Sequence, residues 1–154
     1  MKSRILIYLL IACLLLAGCT QATAPQGNTT ENPQWEVPRP AEGTGLIQGI
    51  MKGRDGNIRV GGSPFLSKNL TAGQKDIPPT ISFSMQSDIR GIVNPETGEF
   101  YFKDVPPADN YVIVILDGPG DLYVVRLPNS EAPLEISIQA GRELDLGEVL
   151  VEAP

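Results

Sequence analysis

Histidine is absent from this chain, and with it go the Ser-His-Asp and Cys-His nucleophilic schemes and histidine-ligated zinc. No G-x-S-x-G elbow, G-x-x-x-x-G-K loop or G-x-G-x-x-G fingerprint occurs, so neither a hydrolase serine nor a nucleotide phosphate has its usual seat. Cysteine is limited to Cys13 and Cys19, tryptophan to Trp35, and aromatics to 6% of residues. Basic side chains are outnumbered twelve to eighteen, for a net charge of −6. Outside the first twenty residues no twelve-residue window carries apolar positions at i, i+3 and i+4, which argues against helices. What is plentiful is glycine (16) and proline (14), the composition of a domain with many turns and short strands. The 154 residues suggest one domain.

At the N-terminus Lys2 and Arg4 precede an apolar run from Ile5 to Leu16 and then the small residues Ala17 and Gly18. The run is short for a hydrocarbon core of about 30 Å and reads as a cleaved export signal. Leu16-Ala17-Gly18-Cys19 resembles a bacterial lipobox. The resemblance implies that Cys19 receives a thioether-linked diacylglycerol before cleavage ahead of it, so that residues 1–18 are a lipoprotein signal peptide and the membrane holds the mature chain through its acyl chains. Whether that membrane is an inner or an outer one depends on the organism; in an enteric-type cell Thr20, in place of Asp, would favour the outer membrane. An ordinary secretory signal or an uncleaved anchor is the competing reading. Cys13 leaves with the signal and the lipid consumes Cys19, so no thiol remains for a disulfide or a zinc site. Loss of Lys2 and Arg4 leaves ten basic against eighteen acidic side chains, a net of −8. Nonspecific nucleic-acid binding is not expected of such a chain, and no cofactor is called for.

Residues 19–43 hold the lipidated cysteine and a linker. Thr20 to Gly43 carry four prolines, little apolar content and no periodicity. Such a segment reaches roughly 27 Å as a flexible coil or about 75 Å as polyproline II, enough to lift a domain clear of the lipid. Trp35 is its conspicuous residue. A ligand-stacking role competes with two simpler ones, packing on the domain edge or lying at the lipid interface. Asn28-Thr29-Thr30 and Asn69-Leu70-Thr71 fit the glycosylation sequon, a weak signal in a bacterial chain.

Residues 44–154 read as the domain proper, built around Ile89 to Leu116. Asn94-Pro95-Glu96-Thr97-Gly98 is a turn in which Pro95 presets a negative φ and Gly98 takes a positive one, so Ile92 and Val93 pair back on Phe100 and Phe102. Phe100 and Phe102 share one face; Glu99, Tyr101 and Lys103 take the other. Pro106 and Pro107 end that strand, and Tyr111 to Leu116 form an apolar run suited to a strand buried on both faces. Before the hairpin, Leu46 to Lys52 alternate as a strand closed by Arg54-Asp55-Gly56-Asn57. Apolar islands at Ile58-Arg59-Val60, Phe65-Leu66 and Leu70 suggest short strands, and Ile81, Phe83 and Met85 alternate as inward positions. After it, Leu122 to Leu127, then Leu134, Ile136 and Ile138, and finally Leu144 to Val151 complete about seven strands. This is the pattern of an antiparallel β-sandwich.

Gly45-Leu46-Ile47-Gln48-Gly49, Thr97 to Pro107 with Tyr111-Val112-Ile113-Val114, and the strand pair from Ile138 to Leu150 together resemble a carboxypeptidase regulatory-like domain. That family is similar to transthyretin and to the Cna-B repeats of surface proteins. The resemblance covers roughly residues 44 to 152 and implies a seven-stranded sandwich that accompanies enzymes, receptors or adhesins without doing chemistry. The family follows its two prolines with Gly-x-Tyr. Here Ala108-Asp109-Asn110 intervenes, with Asn110 the candidate for the positive φ that glycine supplies. Tyr111 is expected to hydrogen-bond backbone near the corner, as tyrosines do in related sandwiches. The hydroxyisourate hydrolases of the transthyretin fold rely on histidines, so this chain cannot share that activity.

Weaker signals remain. Asp117-Gly118-Pro119-Gly120-Asp121, with Asp104, offers oxygens for calcium but lacks the D-x-D-x-D-G spacing, and a solvated hairpin is the simpler reading. Residues 46 to 80 carry five basic and two acidic side chains, residues 129 to 154 one basic and six acidic. Were Lys52, Arg54, Arg59, Lys68 and Lys75 to converge they would suit an anionic surface, although a mixed solvated face is commoner. The Cna-B likeness raises an isopeptide bond between Lys52 and Asp145 beside Glu99. Asp145 alternates with Leu144 and Leu146 on the polar face and Lys52 ends at a turn, so neither is desolvated as that reaction requires, and no such bond is expected. The sequence thus points to a noncatalytic, lipid-anchored envelope module that binds or assembles, with an envelope protein or glycan as its partner. A carboxylate-based hydrolase of envelope glycans is the alternative, and it would need two carboxylates facing across a cleft.

Overall fold

A computed structural model describes residues 35–53, 55–58 and 61–151. Cys19, the signal sequence, the first part of the linker, the Asn28 sequon, Arg54, Arg59 and Val60 lie outside the described residues. The compact unit that begins at Trp35 is all β, with no helix among the described residues. Its strands in order are β1 (Gly45–Lys52), β2 (Ser63–Asn69), β3 (Ile81–Ser82), β4 (Ile89–Arg90), β5 (Ile92–Val93), β6 (Glu99–Val105), β7 (Ala108–Asp117), β8 (Asp121–Val124), β9 (Ile136–Ile138) and β10 (Glu143–Leu150).

They form two sheets. A four-stranded sheet runs β10-β1-β6-β5; a six-stranded sheet runs β3-β2-β7-β8, with β4 also beside β2 and β9 beside β7. Ile47, Met51, Phe100, Phe102 and Val149 of the first sheet share one core with Leu66, Ile113, Ile115, Ile136 and Ile138 of the second. Phe100 and Phe102 meet edge to face at 5.7 Å between ring centroids, a favoured aromatic geometry.

The central hairpin forms as the turn chemistry dictates. Ile92 pairs with Tyr101 and Val93 with Phe100. Gly98 sits at φ +71°, its N–H donates to Asn94 O at 2.9 Å, and Asn94 Oδ1 accepts from Glu96 N. Immediately upstream the chain changes sheets: β4 pairs with β2, β5 with β6, and only Gly91 separates them. A Cβ at Gly91 would lie 2.9 Å from both the Phe102 ring and the Pro64 ring, so the crossing depends on the absent side chain. β7 lies inside the six-stranded sheet between β2 and the pair β8 and β9, and Tyr111 to Ile115 are buried on both faces.

Several sequence expectations are corrected. The described residues hold ten strands rather than seven, some of them two residues long. Pairing is antiparallel except between β1 and β10, which run parallel and have between them the long connection that a parallel pair requires. β9 and β10 do not pair with each other: the turn at Gly141, φ +70°, hands the chain from one sheet to the other. Met85 is 65% exposed, not inward. The strand stops at Ser82 because Asp88 N donates to Ser84 O, and Asp88 Oδ2 accepts from Ser84 N, closing a local turn. Asn110 is not left-handed. Asp104, at φ +56°, takes that role: Gly45 pairs with Val105 and Ile47 with Phe102, so β6 carries one extra residue there, a bulge.

Candidate functional site

Alternation assigns each side chain of the four-stranded sheet a face. Ile47, Gly49, Met51, Phe100, Phe102, Leu144 and Val149 point to the core; Gln48, Ile50, Glu99, Tyr101, Asp145 and Glu148 point outward. β10 keeps this pattern across a second bulge, since Gln48 pairs with Asp145 but Ile50 with Glu148. The extra residue includes Gly147 at φ +62°, whose N–H donates to Asp145 Oδ1 at 2.8 Å.

The end of the expected linker lies across this outer face. Trp35 packs on Tyr101 with ring centroids 5.4 Å apart, which accounts for the burial of Tyr101 at an outward position. Asp104 Oδ1 accepts from Ala41 N at 2.7 Å, so the bulge that re-aims Asp104 also ties down the incoming chain. Of the three roles weighed for Trp35, the structure displays packing on the domain. The indole Nε1–H is buried and meets no acceptor among the described residues.

Between this strap and β10 is a groove of about 220 Å³. Trp35 and Val37 line one side, Asp145 and Glu148 the other, and Gln48 and Gly49 the floor. Gly49 is required: a Cβ there would approach Gly147 O at 2.9 Å and the Phe100 ring at 3.1 Å. The carboxylates at the groove have local partners. Glu148 Oε1 accepts from Lys52 Nζ at 2.5 Å, Glu99 Oε2 from Thr97 Oγ1 at 2.8 Å, and Asp145 from Gly147 N.

The outer face of the six-stranded sheet is built differently. Phe65 and Ser67 share a face with Val114 and Val112, and residues 70–88 cover them. Phe83 meets Phe65 edge on at 5.4 Å, and the fully buried Ser67 Oγ donates to Asp88 Oδ2 at 2.6 Å. Asn69, 2% exposed, donates through Nδ2 to Glu135 Oε1 at 2.7 Å while its Oδ1 accepts from Thr71 N and Oγ1. Its amide is therefore a structural clasp and is closed to glycosylation in the folded domain.

The other sequence-selected residues disperse. Asp117 and Asp121 face each other across the β7–β8 hairpin, whereas Asp104 lies at the bulge in the other sheet; among the described residues no three acidic or cysteine side chains converge as metal ligands. Lys52 pairs with Glu148 on the four-stranded sheet, Lys68 lies 5.7 Å from the Tyr111 ring centroid on the six-stranded one, and Lys75 is on a loop, so these three do not form one basic patch. Lys52 sits opposite Leu150 and Asp145 opposite Gln48, well separated along the β1–β10 ladder. Tyr111 does reach backbone: its hydroxyl donates to Pro106 O at 3.1 Å, and burial raises its phenol above the usual tyrosine value. No protein-family model, curated protein or solved structure matches the chain.

Proposed function

We propose that this is a lipid-anchored bacterial envelope protein, held in the membrane through Cys19, whose β-sandwich is a noncatalytic binding or assembly module. We further propose that the fold is that of the carboxypeptidase regulatory-like, transthyretin-like domains. What supports this reading is that the ten strands reduce to seven if β4 and β5 are counted as one strand divided between sheets, β8 and β9 as one edge beside β7, and the two-residue β3 is set aside.

The observation that carries the binding reading is the outer face of the four-stranded sheet. There an aromatic strap, a groove and exposed carboxylates lie side by side, and each carboxylate is fixed by a hydrogen bond or ion pair within the fold. Such walls suit contact and orientation more than proton transfer. The anchor reading rests on Leu16-Ala17-Gly18-Cys19 and on the linker that follows.

Mass spectrometry of protein extracted from membranes tests both anchoring and processing. The expected product begins at a diacylated Cys19, and a Cys19→Ala variant should be neither lipidated nor cleaved ahead of residue 19. A soluble protein retaining Met1 contradicts the proposal. The same mass reports on the isopeptide: it should equal sequence plus lipid, with no deficit of one water, about 18 Da, since Lys52 Nζ is partly exposed and held by Glu148 instead of lying in the core beside Asp145.

A further inference from the structure

β10 is the long open edge of this domain. Eight residues run from Glu143 to Leu150 with β1 as their neighbour on one side, and among the described residues no strand pairs on the other. The remaining edges are shorter: β5, β3 and β4 have two residues each, β8 four and β9 three. Outward N–H and C=O groups of β10 are thus available to an added strand on either side of the Asp145–Glu148 bulge, where Gly147 N–H is already bonded to Asp145 Oδ1.

The side chains specify which strand. Glu143, Asp145 and Glu148 are all exposed, and their partners Leu46, Gln48 and Ile50 alternate on β1, so the three carboxylates stand in a row on the outward face. On an added strand, side chains at i, i+2 and i+4 lie on one face, and lysine or arginine at those positions meets this row. One such side chain also reaches the groove beside Asp145 and Glu148, where the Trp35 ring forms the opposite wall and attracts cations.

We propose that the β10 edge binds an extended segment of a partner protein that carries alternating basic residues, adding it as a strand and seating one basic side chain in the Trp35 groove. A second copy of this chain is the poorer occupant, because pairing two β10 edges sets acidic rows beside each other. The chain's own residues 20–34 are poorer still: they contain no lysine or arginine and one acid, Glu31. This inference rests on the binding-module reading but not on the anchor. A lipid-free protein would leave it standing, and failure at β10 would leave the anchor standing.

The test uses the full-length protein in non-ionic detergent and three blocked seven-residue peptides. One alternates lysine with valine, one alternates glutamate with valine, and one keeps the lysines but has proline at every valine, which removes strand pairing and preserves charge. Trp35 is the sole tryptophan, so its emission reports the groove without labelling. The lysine–valine peptide should shift that emission saturably, with the glutamate and proline peptides at least tenfold weaker. Asp145→Asn with Glu148→Gln, which retains hydrogen-bonding atoms at both positions, should weaken the lysine–valine peptide at least tenfold, and Glu143→Gln offers a second reading if that pair lowers stability. Equal binding of the proline peptide, no emission change at millimolar lysine–valine peptide, or a concentration-dependent dimer abolished by the peptide would each overturn the proposal.

Discussion

The two outer faces of this domain are finished in opposite ways. On the six-stranded sheet the chain covers itself. Phe65 is 4% exposed beneath Phe83, and the buried polar groups Ser67 and Asn69 are matched by Asp88, Thr71 and Glu135. On the four-stranded sheet the cover is one strap. Its tryptophan leaves a buried donor unmet among the described residues, and the neighbouring edge presents carboxylates. Burying polar groups with partners adds specificity and rigidity, whereas an unmet donor costs free energy. The first face is thus committed to the fold, and the second leaves the groove and the β10 edge uncovered among the described residues, as the proposed binding role requires.

Substitutions can break or sharpen this contrast. Phe65→Ala empties the covered face of its largest side chain and should cost about 3–5 kcal/mol, read as a lowered midpoint in urea unfolding. Asp88→Ala removes the acceptor of both Ser67 Oγ and Ser84 N and should cost about 1–3 kcal/mol, with the same assay as the check. On the other face, Trp35→Ala forfeits the Tyr101 contact, about 0.5–1.5 kcal/mol beyond the burial lost at this half-buried site, and should cost less than Phe65→Ala, while Trp35→Phe, which also removes the unmet donor, should be close to neutral. A Trp35→Ala loss as large as that of Phe65→Ala would mean the strap is as integral as the 70–88 cover.

Tyr111 gives a smaller, pH-dependent effect. Burial keeps its phenol protonated to higher pH in the folded protein than in the unfolded chain. Its contribution is therefore complete below about pH 10 and is lost as pH rises through the raised folded value. Tyr111→Phe should cost about 1 kcal/mol at neutral pH through the lost bond to Pro106 O, and should flatten part of the alkaline fall. Stability measured by denaturant at neutral pH and above pH 10 checks both.

What could be read from sequence was local. The Asn94–Gly98 turn, the facing of Phe100 and Phe102, the doubly buried run at Tyr111 to Ile115 and the Tyr111 hydroxyl bond each depend on residues a few positions apart. The misses depend on distant partners. Asp104 rather than Asn110 is left-handed because a bulge in β6 is paired against β1 and tied to Ala41. Met85 is exposed because Asp88 turns the chain back on Ser84. The parallel β1–β10 pair joins residues about a hundred positions apart, and alternation cannot reveal which strands will be neighbours. The candidate surface was hidden for the same reason: Trp35, Asp145 and Glu148 are brought together only by that pairing and by the strap.

Amide hydrogen exchange by NMR tests the asymmetry of the two faces most directly. Amides of β2, paired on both sides, should exchange only with global unfolding, while alternate amides of β10, facing away from β1, should exchange faster by orders of magnitude through local exposure. Uniform protection along β10, matching that of β2, would contradict the account by showing that this edge is already closed.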